Sequence, residues 1–159
     1  MTAQPADIER LRFLARVAGK EARHLAATTE RLFQLPFTPA RVAELERNPD
    51  LAERVDAFVS RFGRLQDTLG DKLLPLLLMA LGEQAGAAID NLDRAERLGL
   101  IPSADQWMTL RRLRNRMIHE YVEDPAILAD ALETAHGFVA VLTDANGRMQ
   151  EELRRRGRV

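Results

Sequence analysis

The sequence predicts a single all-α domain, and length, composition and hydrophobic spacing lead to this prediction. At 159 residues the chain has the size of one domain with a proper core. Hydrophobic residues make up 46% and aromatic residues only 5%, a globular composition that favours helix over sheet. Apolar residues recur at steps of three and four, and no stretch alternates as a β-strand does. We therefore expect an up-and-down bundle of four to five main helices over residues 1–159, with 154–159 as a frayed tail.

In the first half of the chain, prolines separate three predicted helices. The first spans about 8–34 and ends at the proline-containing segment 35–39, because proline cannot continue the hydrogen-bond ladder. A short helix is predicted over 39–47, and Asn48-Pro49-Asp50 interrupts the chain again. The next helix carries apolar residues at helical spacing: Leu51, Val55, Phe58, Val59, Phe62, Leu65 and Leu69.

In the second half, glycine, proline and capping residues mark the predicted boundaries. Gly70-Asp71 is expected to form a bend, after which 72–98 forms one helical element. Ser103-Ala104-Asp105-Gln106 has the pattern of a capping box, in which the glutamine reaches back to the serine at the N-cap. Asp124-Pro125 is expected to open the last helix, with the aspartate as N-cap and the proline as first helical residue.

Charge and composition narrow the class of protein. The formal net charge of −1 argues against a protein that coats nucleic acid through its overall field, but it leaves room for a local basic patch. The absence of cysteine excludes disulfides and thiolate metal sites. The first residues lack a signal-peptide pattern, and the longest apolar run, 73–81, is far shorter than the roughly 18 residues of a membrane span. We expect a cytoplasmic protein that does not associate with membranes.

Residues 111–121 are the most informative segment of the chain. No acidic residue lies between Asp105 and Glu120, and four arginines do: Arg111, Arg112, Arg114 and Arg116. Helical geometry places Arg114 near the centre of the helix's apolar stripe, where a charge is costly unless something binds it. Two explanations are open, a bound phosphate or an ion pair with an acid from another helix.

His119 is the second candidate for chemistry in this segment. Its side chain can touch that of Asn115, four residues earlier, and the helix dipole favours its protonated form. An imidazole that changes charge near neutral pH suits general acid–base catalysis. Arg114 and His119, by contrast, diverge by roughly 140° on a straight helix, so they meet only if the helix distorts or a second copy of the chain supplies one of them. A structural histidine beside a solvated arginine face is the alternative interpretation.

The pattern Arg114-Asn115-x-x-x-His119-x-Tyr121 resembles the Arg-x4-His motif of the HEPN superfamily, in the form carried by HepT-like toxins. In that form a polar residue, often Asn, follows the Arg, and a Tyr stands two residues after the His. The rest of 107–121 resembles the same helix of the family, and the segment 62–67 resembles an upstream part of it more loosely.

The resemblance implies a HEPN-like bundle that forms a homodimer and acts as a metal-independent endoribonuclease without a cofactor. The expected reaction is attack of a ribose 2′-hydroxyl on the adjacent phosphate, with His119 as acid or base and Arg114 binding the phosphate. Asn115 would orient His119 or the phosphate, and the paired motifs would meet at the dimer interface. Because the net charge is −1, affinity for RNA would come from the arginines of both subunits: Arg111, Arg112, Arg114 and Arg116.

The resemblance also implies a partner that silences the toxin. HepT-like toxins are neutralised by a nucleotidyltransferase antitoxin that transfers AMP to the tyrosine of the motif, here Tyr121. The toxin is expected as a homodimer, or as a larger assembly together with the antitoxin. Two alternatives remain open: a non-catalytic module that holds a nucleotide or partner beside a nucleotidyltransferase, and a helical dimer whose Arg114 only joins an interface. His24 and His136 lie outside the motif and are expected to be surface or packing residues.

Overall fold

The computed structural model describes residues 4–119 and 124–157. All regular secondary structure within these ranges is helical, which confirms the predicted all-α class. A 3-10 turn (Glu44–Glu46) follows the second α-helix, and a π-helical segment (Thr68–Leu73) joins the third to the fourth. The α-helices are α1 (Pro5–Leu32), α2 (Pro39–Ala43), α3 (Pro49–Asp67), α4 (Leu74–Ala80), α5 (Ala88–Arg97), α6 (Ala104–His119) and α7 (Pro125–Arg155).

Prolines and polar caps begin the helices. Proline stands in the first turn of α1, α2, α3 and α7, where its missing N–H breaks no helical hydrogen bond. As predicted, Asp124 caps α7, and its Oδ1 accepts a hydrogen bond from the Ala126 N–H at 2.9 Å. Ser103 caps α6 in the same way, with Oγ 3.1 Å from the Gln106 nitrogen. The return half of the capping box does not form, because Gln106 Oε1 is buried with no hydrogen-bond partner among the described residues.

The prediction of one helical element over 72–98 is wrong. α4 ends at Ala80, and α5 begins only at Ala88. Gly82 causes the break: its φ of 81° is a left-handed conformation that glycine adopts without strain. The Glu83 N–H then donates to the Leu78 carbonyl at 2.8 Å, which closes a glycine C-cap on α4.

The expected bend at Gly70-Asp71 is instead a stretch of π-helix that runs on into α4. Trp107 of α6 is buried against this stretch. A Cβ added to Gly70 would lie 2.8 Å from Trp107 Nε1, closer than side chains approach one another. The glycine therefore lets α6 pack directly onto the π-helical segment, and this packing sets where the later residues of α6 lie against α3.

The core lies between α1, α3, α6 and α7. α7 packs against α1, α2 and α6, and α1 packs along α3. Among the described helices, α7 is long and apolar enough to cross a membrane by length and composition alone, a property that the central helix of a bundle shares. Fully buried side chains from the four helices fill the interior, among them Leu25, Phe58, Leu65, Leu110 and Leu132.

α7 continues through the first two residues of the expected frayed tail 154–159, of which 158 and 159 lie outside the described residues. Arg154 and Arg155 belong to the last turn of the helix. They lie 3.8 and 3.3 Å from the carboxylates of Glu151 and Glu152, three residues earlier. Such pairs, and the attraction of cations to a helix C-terminus, favour helix up to this point.

Candidate functional site

Arg114 is held by an acid from another helix, which is one of the two explanations that the sequence leaves open for it. Its Nη1 lies 2.8 Å from Oδ2 and 3.0 Å from Oδ1 of Asp67, the last residue of α3. The two side chains remain 36% and 34% exposed. An ion pair this exposed contributes about 0–1 kcal/mol to stability, so its main effect is on the position of the guanidinium.

Gly63 provides the surface across which the Arg114 side chain lies. A Cβ added at this position of α3 would come within 2.6 Å of Arg114 Nε and 3.2 Å of Cζ. Gly63 and Asp67 are four residues apart, so they lie on one face of α3. Gly63 lies against the arginine side chain near Nε, and Asp67 accepts hydrogen bonds from Nη1 at its tip. Among the described residues Nε and Nη2 have no hydrogen-bond partner, which leaves donors free for a ligand.

The other arginines of the run lie on either side of this pair. Arg111 Nη1 is 3.6 Å from Asp71 in the π-helical segment, so it forms a second, weaker link between α6 and its neighbour. Arg116 is exposed, with Nη2 3.5 Å from Asp130 of α7. Arg112 is exposed and has no acidic partner in the part of the chain that the structure describes. Of the predicted RNA-binding arginines, Arg111 and Arg116 thus pair with aspartates from other helical segments.

A groove of about 440 Å³ opens beside Arg114 between α3 and α6, within the size range of ligand pockets. Apart from Arg114, its α6 wall is apolar: Met117 is buried, whereas Ile118 is 49% exposed although its helical spacing places it on the apolar stripe. Its α3 wall brings a second guanidinium, that of Arg64, to the same groove. The lining residues are Asp56, Val59, Ser60, Arg64, Arg114, Met117 and Ile118.

Of the predicted motif, the structure describes the side chains of Arg114 and Asn115. Asn115 is exposed and does not line the groove. α6 includes His119, but the His119 side chain lies outside the described residues, and so does Tyr121. Outside the motif, His24 and His136 are exposed, and His136 stacks on Phe33 with the ring centroids 4.1 Å apart.

The α3 residues that hold Arg114 or add charge beside it were not singled out as site residues by sequence reasoning. Gly63, Arg64 and Asp67 entered only as members of the loosely similar segment 62–67. One signal was present in the sequence: a glycine inside a helical pattern, followed four residues later by an acid. Such a glycine indicates close approach by another element, and the acid indicates a cation on that element.

Among the residues that the structure describes, no three His, Asp or Glu side chains are placed to hold a metal ion. Comparisons of the chain with models of known families, with curated proteins and with solved structures found no match.

Proposed function

We propose that this protein is a HEPN-type endoribonuclease and the toxin of a toxin–antitoxin pair, acting as a cytoplasmic homodimer. The resemblance of 114–121 to the HepT-like motif supports the family. The observation that carries the proposal is the position of Arg114, which Gly63 and Asp67 hold at the edge of a groove, while its Nε and Nη2 have no hydrogen-bond partner among the described residues. A held guanidinium in a groove is suited to bind a phosphate and the charge that develops on it during the reaction.

In the proposed reaction the 2′-oxygen of a ribose attacks the neighbouring phosphorus, and the 5′-oxygen of the next nucleotide leaves. His119 removes the proton of the 2′-hydroxyl or donates a proton to the leaving oxygen. Arg114 binds the non-bridging phosphate oxygens through its free donors. The products are a 2′,3′-cyclic phosphate and a 5′-hydroxyl, and no metal takes part.

A dimer is proposed because the two motif residues diverge on one helix. Arg114 and His119 point roughly 140° apart on a regular α-helix, so the partner subunit supplies the second residue of each site. The exposed Ile118 at the edge of the groove supports this arrangement, because a second copy of the chain would cover it. Regulation follows from the same motif: a nucleotidyltransferase antitoxin adenylylates Tyr121, and the added AMP blocks the phosphate site by its charge and bulk.

The proposal is tested by expressing the chain without an antitoxin and by incubating the purified protein with RNA. We expect growth arrest and metal-independent cleavage from the wild type, and neither from Arg114→Ala or His119→Ala. Mass spectrometry after co-expression with the nucleotidyltransferase should find AMP on Tyr121. Equal toxicity of the three proteins, or intact RNA after incubation with the wild type, would rule out the enzyme.

The second candidate function is a non-catalytic module that holds a nucleotide or a partner beside a nucleotidyltransferase. The ion pair between Arg114 and Asp67 favours it, because a partly neutralised arginine stabilises the charge that develops on a reacting phosphate less strongly than a free one does. In this case the purified chain binds AMP or the nucleotidyltransferase, and RNA stays uncut.

A further inference from the structure

Three adjoining grooves run from Arg114 to the space between α1 and α7, and each neighbouring pair of grooves shares a cationic side chain. The groove beside Arg114 shares Arg64 with a pocket between α1 and α3. That pocket shares Lys20 with a groove between α1 and α7, which also contains Arg16 and Arg23. These five side chains, Arg114, Arg64, Lys20, Arg16 and Arg23, are named here the cationic track.

The α1 part of the track is not neutralised. Arg16, Lys20 and Arg23 are exposed, and they form no ion pair with any carboxylate in the described ranges. The arginines of α6 differ, since most of them face an aspartate. In a chain whose net charge is −1, unpaired cations gathered on one path indicate a polyanionic ligand.

The carboxylates along the path are few. Glu21 lines the middle pocket, and its carboxylate oxygens accept a hydrogen bond from the Thr68 hydroxyl at 2.9 and 3.0 Å. Burial raises the pKa of Glu21, although the Thr68 hydrogen bond and the charges of Lys72 and Arg64 act in the opposite direction. Burial thus disfavours the charged form of the one carboxylate in that pocket. Asp56 is the acid of the groove beside Arg114.

The spacing along α1 suits an extended chain of phosphates. Arg16, Lys20 and Arg23 follow one another at four and three residues, so they lie on one face of α1 over about 10 Å. None of the described side chains that line the three grooves is Phe, Tyr or Trp, so base stacking plays little part and backbone contacts dominate.

We infer that the cationic track binds the sugar–phosphate backbone of single-stranded RNA that extends from the scissile phosphate at Arg114 along α3 and α1. The inference rests on the proposed ribonuclease function and names its substrate class. The substrate would be single-stranded RNA that extends several nucleotides beyond the scissile phosphate and is bound without sequence preference. An acidic protein surface is the competing occupant, and the test separates the two.

The test measures binding of a 2′-O-methyl oligonucleotide, which cannot be cleaved, to the full chain by fluorescence anisotropy. One variant carries Arg16→Gln, Lys20→Gln and Arg23→Gln together. The matched control carries Arg10→Gln, Arg47→Gln and Arg97→Gln, which remove the same charge from residues that line none of the three grooves. Circular dichroism confirms that both fold.

We expect the track variant to bind the oligonucleotide on the order of ten- to a hundredfold more weakly at low salt, with the slope of log K against log salt reduced by about two. The control should bind as the wild type does. Equal binding by the two variants overturns the inference, as does a track variant that loses affinity for polyglutamate but not for the oligonucleotide. Because the probe cannot be cut, a wild type that binds it through the track but cleaves no RNA refutes the proposed function and leaves the track in place.

Discussion

Asp67 holds Arg114 through one guanidinium nitrogen, with Nη1 2.8 Å from Oδ2. The pair is exposed enough that it adds little to stability, and Nη2 and Nε keep no partner among the described residues. We interpret Asp67 as a positioning residue, which sets the direction of the arginine while the free donors meet the phosphate. The Asp67 carboxylate also lowers the net positive charge of the site. Its effect on the position of Arg114 and its effect on charge should therefore change different kinetic constants when Asp67 is substituted.

On the proposed ribonuclease mechanism, Asp67→Asn should lower kcat for RNA by about ten- to a hundredfold, because the arginine that would bind the reacting phosphate is no longer fixed in position. KM should stay level or fall, since the site gains positive charge. Asp71→Asn is the matched control, because it removes the same charge from the more distant Arg111 pair, at 3.6 Å. Steady-state kinetics on one RNA give both constants. A higher KM with unchanged kcat would show that Asp67 acts on binding alone.

Gly63→Ala should abolish cleavage although it alters neither Arg114 nor Asp67. The new methyl group would lie 2.6 Å from Arg114 Nε, too close for either group to stay, and would force the arginine side chain away. Stability should not fall, because alanine favours helix by about 1 kcal/mol over glycine and the arginine can swing into solvent. Gly137→Ala is the control, since a Cβ there meets nothing within 4 Å. Full activity of Gly63→Ala would show that the position of Arg114 across α3 is not required.

Gly70→Ala should lower the free energy of unfolding, whereas Gly63→Ala should not. The added methyl group would lie 2.8 Å from Trp107 Nε1, and the Trp107 ring is buried and cannot move aside. Overpacking of this kind costs about 1–3 kcal/mol. Urea denaturation of Gly70→Ala, Gly63→Ala and Gly137→Ala measures the difference. If all three have the same midpoint, the close packing of α6 on the π-helical segment is not what stabilises this region.

Glu21→Gln should raise the free energy of unfolding at neutral pH. Burial raises the pKa of Glu21 above its ordinary value of 4.5 in the folded protein. The folded state therefore holds this proton more tightly than the unfolded state does, and the resulting stability is fully present below pH 4.5 and is lost as the pH rises through the folded pKa. Glutamine avoids that loss and still accepts from Thr68.

The gain from Glu21→Gln should accordingly shrink as the pH falls towards 4.5. Glu30→Gln, at an exposed position of the same helix, is the control and should change stability little at any pH. Urea titrations at several pH values test both. A gain that is constant with pH would show that ionisation of Glu21 is not its cause.

Much of the fold follows from hydrophobic spacing and capping chemistry, because these signals are local. Asp124 and Ser103 cap the helices that they were predicted to cap. The break at Gly82 was missed because apolar periodicity continues across it, and only the backbone conformation shows that the glycine ends α4. The π-helix around Gly70 was missed for a different reason: it packs against Trp107, 37 residues later in the chain, and a local sequence pattern does not show a contact this distant.

The candidate site, too, was predictable where the signal is local and not where it depends on how two helices pack. Helical geometry identified Arg114 as a charge that needs a partner, and an acid from another helix was one of the two explanations considered. The identity of that acid, Asp67, depends on how α6 is set against α3, which periodicity does not determine. The geometry between Arg114 and His119 remains a prediction, because the His119 side chain lies outside the described residues.

A complementation experiment tests the central claim, a catalytic site shared between two subunits. Arg114→Ala and His119→Ala chains with different affinity tags are co-expressed, and the mixed dimer is isolated on both tags. Each parent is expected to be inactive. A two-fold symmetric dimer restores one intact Arg114–His119 pair in the mixed dimer, so it should cleave RNA at about half the wild-type rate. A mixed dimer as inactive as its parents would contradict the shared site.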